Sequence, residues 1–197
     1  MQPVVKLVIL GRDGVLNVFR DDHVKAAEEW CAIPGALEAV SRLNHGGWHA
    51  VVATNQSGIG RGMIDMASIN AVHAHMFKCL MAVGGRIDAV FFCPHPPEDR
   101  CDCRKPQPGL MLDIGKRYGI DLKLVPMVCD TLRDLQAARA AGCEPHLVRT
   151  GRAAVLDAEQ LQQLISQVPG AQVHDDLPAL AEYLLARSAG AEHRAER

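Results

Sequence analysis

Four stretches of the chain gather residue types that can handle a phosphoryl group. Gly11-Arg12-Asp13-Gly14-Val15-Leu16-Asn17 sets one carboxylate between two glycines directly after an apolar run. Thr54-Asn55-Gln56-Ser57-Gly58 follows a second apolar run and offers hydroxyls, amides and main-chain N–H groups, donors suited to phosphate oxygens. Arg104-Lys105-Pro106 sets two cations before a helical stretch, and Asp130-Thr131-Leu132-Arg133-Asp134 closes another apolar run with an acidic pair. Taken singly, each reads equally well as a tight turn or a helix cap. Four of them in this order and spacing are much harder to explain as turns.

A fifth constellation is of a different kind. Cys93-Pro94-His95 and Cys101-Asp102-Cys103 supply three thiolates and one imidazole, the soft tetrahedral set that zinc prefers, with no position left for water. Such a Zn2+ site is structural. Its expected task is to fix the stretch between Pro94 and Cys103 and so aim Arg104 and Lys105. The spacing differs from the commoner C-x-x-C pairs, so ordinary unpaired thiols are the alternative. Seven cysteines, an odd number, without a signal-peptide pattern speak for metal chemistry rather than disulfides. Cys31, Cys79, Cys129 and Cys143 are read as small apolar packing residues. His73 and His75, two apart in a helical stretch, face different ways and make a poor metal pair. Gly58, Gly60 and Gly62 have the wrong spacing for a dinucleotide fingerprint.

These groups need a scaffold that brings strand ends together. Short runs of Val, Leu and Ile, each closed by Gly, Asp, Thr-Asn or Pro, alternate with longer segments of helical period, the pattern of buried parallel strands with crossover helices. The fold class is therefore α/β. Strands are expected at Lys6–Leu10, His49–Thr54, Ala89–Cys93, Val125–Cys129 and Pro145–Val148, with a weaker one at Gln172–His174. Helices are expected between Pro34 and Gly46, between Pro108 and Gly119, over Leu132–Ala141, after Asp157 and over Pro178–Ala186. In an open parallel sheet, ligands bind beyond the carboxyl ends of the strands. The polar stretches above all lie there, so one crevice can collect them.

The chain has 197 residues, 48% hydrophobic and 22% charged, with a formal net charge of -2. That is enough for one core and one domain, expected over residues 1–187 with a frayed tail over 188–197. Charges of both signs are scattered, so there is no basic field for nucleic acid or an anionic membrane. No apolar run approaches the roughly 20 residues needed to span a bilayer, and no signal-peptide pattern is present. A cytoplasmic monomer acting on a small molecule is expected.

The order D-x-D-G (with glycine at the first position here), T-N-Q-S-G, C-R-K-P and D-x-x-x-D resembles the haloacid-dehalogenase (HAD) phosphatases. Within them, residues 4–150 resemble the D-glycero-D-manno-heptose-1,7-bisphosphate 7-phosphatases of lipopolysaccharide heptose synthesis. Histidinol-phosphate phosphatases share the zinc loop but usually read T-N-Q-D-G after the second strand, whereas Thr54 to Gly62 here is similar to the heptose enzymes. The resemblance implies a HAD-like sheet flanked by helices, without a separate cap domain. It also implies an aspartyl-phosphate mechanism. The first Asp of D-x-D attacks phosphorus, and the second, here Asp13, protonates the leaving oxygen and then activates water. Mg2+ would be held by the first Asp, the main-chain carbonyl of Asp13 and Asp130. Thr54 and Lys105 would hold the phosphoryl group, aided by Asn55, Gln56 and Ser57, with Arg104 clamping the far end of a sugar phosphate.

Three positions depart from that pattern. Gly11 stands where the family has its nucleophilic aspartate, Cys129 where it usually has glycine, and Phe19 where it usually has an acidic residue. By analogy with enzymes that lose a covalent nucleophile, the rate falls on the order of 10^4 to 10^6. The alternatives are a sugar-phosphate-binding pseudophosphatase and, against the intact Asp13, Thr54, Lys105 and Asp130, a zinc-stabilised interaction domain.

Overall fold

The structure, a computed structural model, describes residues 5–195, with side chains described through 190. Six strands, β1 (Leu7–Leu10), β2 (His49–Asn55), β3 (Ala89–Cys93), β4 (Pro126–Cys129), β5 (Glu144–Val148) and β6 (Gln172–His174), form one sheet in the order β3-β2-β1-β4-β5-β6. Every neighbouring pair is parallel. Seven helices are described: α1 (Ala36–His45), α2 (Ser57–Gly60), α3 (Met66–Ala82), α4 (Gly109–Tyr118), α5 (Leu132–Ala141), α6 (Ala158–Ser166) and α7 (Leu177–Ala195). β3 and β6 match the sequence reading, and each of the other four strands differs from it by one residue at one end.

Parallel strands are covered on both faces, and the alternation of side chains shows how. Val8 and Leu10 of β1 point into a core shared with Val40 and Leu43 of α1, Val72 and Met76 of α3 and Leu180 and Leu184 of α7. Leu7 and Ile9 point the other way, to Met111 and Ile114 of α4 and Ala137 and Ala138 of α5. Local signals set the helix ends. Thr131 caps α5 by accepting the N–H of Asp134, and Gly142 ends it in the left-handed conformation at φ 84°. Asp157 and Gln160 form a reciprocal capping box at the start of α6.

Two expectations need correction. The last helix continues past Ala186 to Ala195, where a frayed tail from Ser188 was expected. Apart from Gly190, the segment is rich in alanine, glutamate and arginine, all good helix formers, so propensity outweighs the lack of apolar period. Residues 196–197 of that tail lie outside the described residues. Cys31 is exposed rather than packed, whereas Cys129 and Cys143 are buried and Cys79, half-buried, packs against the core, as expected. No helix among the described residues is long and apolar enough to cross a membrane.

At the β5–β6 edge, His146 is fully buried, with Nδ1 3.0 Å from Nε2 of His174. Its Nε2 has no hydrogen bond, since the nearest carboxylate, Glu144, lies 3.7 Å away and already accepts from Arg187 at 2.7 Å. Tyr183 closes the cluster with its ring 5.9 Å from that of His146. Burial above all, then His174 and Arg187, pushes the pKa of His146 down from 6.5 to about 3. The folded state therefore refuses a proton that the unfolded chain takes. Stability conferred by neutral His146 is present above pH 6.5 and is lost as pH falls toward 3, with a slope approaching about 1.4 kcal/mol per unit. Urea unfolding between pH 7 and pH 4 checks this: His146→Leu should flatten that part of the pH profile, whatever it does to stability at pH 7.

Candidate active site

The sheet order runs outward from β1 through β2 and β3, then resumes on the other side of β1 with β4, β5 and β6. This reversal opens a crevice at the carboxyl ends of β1 and β4, the usual ligand position in such sheets. Gly11 sits at the seam, where its N–H donates to the Val128 carbonyl at 2.8 Å. Beyond it the chain turns tightly: the Arg12 carbonyl accepts from Leu16 at 2.8 Å, and Gly14 N–H donates to Asn17 at 2.7 Å. Gly14 has φ +80°, which a side chain would resist.

Asp13 projects from this turn and is a triple acceptor. Asn17 Nδ2 donates to its Oδ1 at 3.0 Å, Gln56 Nε2 to its Oδ2 at 3.1 Å, and the Arg12 guanidinium lies 3.1 Å away. Burial alone would raise the Asp13 pKa, but the Arg12 charge and these hydrogen bonds outweigh it and hold the carboxyl below its usual range. Arg12 itself is 1% exposed, and its other terminal nitrogen lies 3.2 Å from Nε2 of His73. Burial, then Arg12, pushes the His73 pKa down to about 4, so the ring accepts from the guanidinium.

The polar groups at the end of β2, Thr54, Asn55, Gln56 and Ser57, are held in different ways. Thr54 and Gln56 are linked at 2.9 Å, so Gln56 ties Thr54 to Asp13. Asn55 instead clamps the main chain of Lys105: its Nδ2 donates to the Lys105 carbonyl at 3.1 Å, and its Oδ1 accepts the Lys105 N–H at 3.1 Å. Ser57 is buried as the first residue of α2, against the same cleft. Lys105 reaches inward, 3% exposed, with Nζ 3.0 Å from the Ala53 carbonyl and 3.1 Å from Oδ2 of Asp134. Arg104 donates to the His95 carbonyl at 3.1 Å and lines the cleft. Burial first, then the neighbouring charges of Arg133 and Arg61, lowers its pKa.

Asp130, after β4, is buried, and among the described residues it has no cation within ion-pair distance. Its Oδ2 accepts the Arg152 N–H at 2.9 Å. Burial, only partly offset by that bond, raises its pKa to about 6. A desolvated carboxylate with no cation in ion-pair reach, beside the Asp13 turn, is a hard oxygen donor suited to a divalent cation such as magnesium. The second cluster is equally defined. Donor atoms of Cys93, His95, Cys101 and Cys103 all lie within 4.8 Å of one another and could hold a metal ion. Its Sγ separations of 3.1 to 3.5 Å approach the roughly 3.8 Å edge of a tetrahedron with 2.3 Å bonds.

Gly11, Asp13, Thr54, Gln56, Ser57, Arg104, Lys105 and Asp130 thus line one cleft, and Asn55 reaches it as well. Sequence reasoning passed over Arg12, Asn17 and the turn Thr150-Gly151-Arg152, although that turn obeys the same strand-end rule one strand further on. Acids on the ends of β1 and β4, with a lysine brought across from the loop after β3, place the chain among the HAD-like hydrolases.

The comparisons with known proteins agree. Residues 102–180 match the HAD-hydrolase-like family. The chain is 50% identical over 182 residues to the D-glycero-beta-D-manno-heptose-1,7-bisphosphate 7-phosphatase of Bordetella bronchiseptica, covering 92% of this chain and 98% of that one. It is 45% identical over 179 residues to the enzyme of the same name from Pseudomonas aeruginosa, covering 91% and 97%. A crystal structure of the Bordetella phosphatase complexed with magnesium and phosphate superposes with a TM-score of 0.87, covering 93% of this chain and 99% of that chain. The chain belongs to the HAD-type D-glycero-beta-D-manno-heptose-1,7-bisphosphate 7-phosphatase family, whose members are phosphoric monoester hydrolases.

Breaking the Lys105–Asp134 pair from one side strands a buried charge. Lys105→Met should cost about 3 to 5 kcal/mol of unfolding free energy in urea titration. The double variant with Asp134→Leu should recover a substantial part of the loss, because both charges then leave together.

Proposed function

We propose that this chain binds D-glycero-D-manno-heptose 1,7-bisphosphate with the 7-phosphate in the cleft between β1 and β4, and that it is a strongly impaired 7-phosphatase. The observation carrying the reading is the meeting of Asp13, Thr54, Lys105 and Asp130 at one rim. The Lys105 ammonium and the Thr54 hydroxyl would hold the non-bridging oxygens, fixed in place by Asn55 and Gln56. Arg104 would take the second phosphate through its guanidinium fork. Asp130 and the main-chain carbonyl of Asp13 would hold Mg2+, which when bound neutralises phosphoryl oxygens. Three donors keep Asp13 ionised, so it is ready to accept a proton, and must first take one before it can give one to a leaving alkoxide.

Gly11 offers no oxygen to attack phosphorus. Its backbone lies outside the left-handed region, and a Cβ built there meets Cγ2 of Val15 at 3.0 Å, so the first atom of a side chain fits once Val15 gives by a few tenths of an ångström. The Cys93, His95, Cys101 and Cys103 cluster would hold Zn2+ as a structural ion. The reading further places the protein in the bacterial cytoplasm, as a monomer supplying lipopolysaccharide heptose synthesis.

A second reading is favoured by one feature. Arg20, Arg104, Lys105, Arg133 and Arg152 line a cleft that lacks a carboxylate at position 11, so a phosphorylated sugar meets less like-charge repulsion and can be retained without turnover.

Two experiments test these readings. Inorganic phosphate release from heptose bisphosphate and from histidinol phosphate should be barely measurable for the chain as it is. Gly11→Asp should raise release on the order of 10^4-fold, for the bisphosphate preferentially. A folded, magnesium-supplied Gly11→Asp protein with no gain sinks the phosphatase reading, and calorimetry without affinity for either substrate sinks both. Elemental analysis should find one zinc per chain, and Cys103→Ser should lose it together with a clear drop in Tm; a full-stability, zinc-free protein overturns the structural ion.

A further inference from the structure

The geometry points to the turn after β5, Thr150-Gly151-Arg152, as a positioning element that fixes how Asp130 is presented to a divalent cation; this rests on the cation reading given above. β5 is not a neighbour of β1, because β4 lies between them. The turn nevertheless reaches over the end of β4 and bonds to the β1 loop: Thr150 Oγ1 donates to the Gly14 carbonyl at 2.6 Å. Two residues later, the Arg152 N–H donates to Oδ2 of Asp130 at 2.9 Å. The same turn is therefore fastened both to the loop that carries Asp13 and to the carboxylate that follows β4.

Packing makes the fastening tight. A Cβ on Gly14 would overlap Oδ2 of Asp130, and a Cβ on Gly151 would overlap that same oxygen and the Cα of Gly14. The Asp130 carboxylate is thus held between two glycines that admit no side chain, with Gly151 at φ +54° and Gly14 at φ +80°. Oδ2 is engaged by the turn, which leaves Oδ1 as the oxygen to face a ligand. From outside, the Arg152 guanidinium lies 4.3 Å from the Phe19 ring centroid, which keeps the turn against the cleft.

A small, hard cation needs its oxygen donors at defined positions, so the placement of Oδ1 relative to the Asp13 main chain sets affinity. Gly151 and Thr150 control that placement without touching the ion. They are positioning residues, and a change in either should alter cation affinity more than it alters folding.

The test uses the full chain, both as it is and with Gly11→Asp, and Mn2+ as the probe, its free concentration read by electron paramagnetic resonance. Gly151→Ala should weaken Mn2+ binding by roughly tenfold or more, in the range found when outer-shell partners of a metal are removed. Thr150→Val should weaken it by a smaller factor. Gly119→Ala is the control: Gly119 is also left-handed, at φ +61°, but a Cβ there meets nothing within 4 Å. It should lower Tm and leave Mn2+ affinity unchanged. Parent-like Mn2+ affinity in a folded Gly151→Ala protein overturns the inference alone; if that variant fails to fold, unchanged affinity in Thr150→Val does so. Parents that bind no Mn2+ overturn the cation reading and this inference together.

Discussion

The buried ion pair between Lys105 Nζ and Asp134 Oδ2, 3.1 Å apart, joins the loop after β3 to the first turn of α5 across the mouth of the sheet. A lysine that deep is tolerable only with its charge matched and its donors used, and here the Ala53 carbonyl takes a second donor at 3.0 Å. The rest of the cleft is arranged to keep that lysine in place. Asn55 grips its main chain from both sides, and the Cys93–Cys103 segment, drawn together by four metal-type donors, delivers it. The same economy governs Arg12, whose buried guanidinium is matched by Asp13 and received by His73. Charges are sunk in pairs, and Asp130 stands out because it has no such match among the described residues.

That imbalance connects the scaffold to its chemistry. The Bordetella relative was crystallised with magnesium and phosphate, and half of the residues aligned between the two chains are identical. In the proposed reading, the loop after β1 that would supply an attacking oxygen carries Gly11, while the groups that would surround it keep their hydrogen bonds. A frame kept intact without a nucleophile would still be preorganised for a phosphoryl group, because in phosphoryl transfer most of the stabilisation comes from positioned charges.

Much of this was legible in the sequence because parallel strands, buried on both faces, show as plain apolar runs, and their ends are where polar residues cluster. α5 was read to the residue, from Leu132 to Ala141, since Thr131 and Gly142 mark both ends. The four metal-type donors were equally visible, as three thiols and an imidazole lie close together between Cys93 and Cys103. Roles were harder to read than places. Asn55 and Gln56 look alike in a Thr-Asn-Gln-Ser string, yet one braces Lys105 and the other Asp13, a difference decided by which way each side of β2 faces. Arg12 was passed over because an arginine beside an aspartate usually reads as a surface residue. The extension of α7 was missed because helix propensity without an apolar stripe leaves little trace in periodicity.

The packing of α7 on α1 carries a consequence for how the chain comes together. Leu37, Val40 and Leu43 share their core with Leu180 and Leu184, and Arg42 pairs with Glu182 some 140 residues downstream. During synthesis, the part of α1 that faces α7 waits, uncovered, until a segment some 140 residues downstream has left the ribosome. Closing this half of the molecule is thus a long-range event, slow and open to sticky encounters in the meantime, whereas the opposite half, built from α4 and α5, can be completed well beforehand.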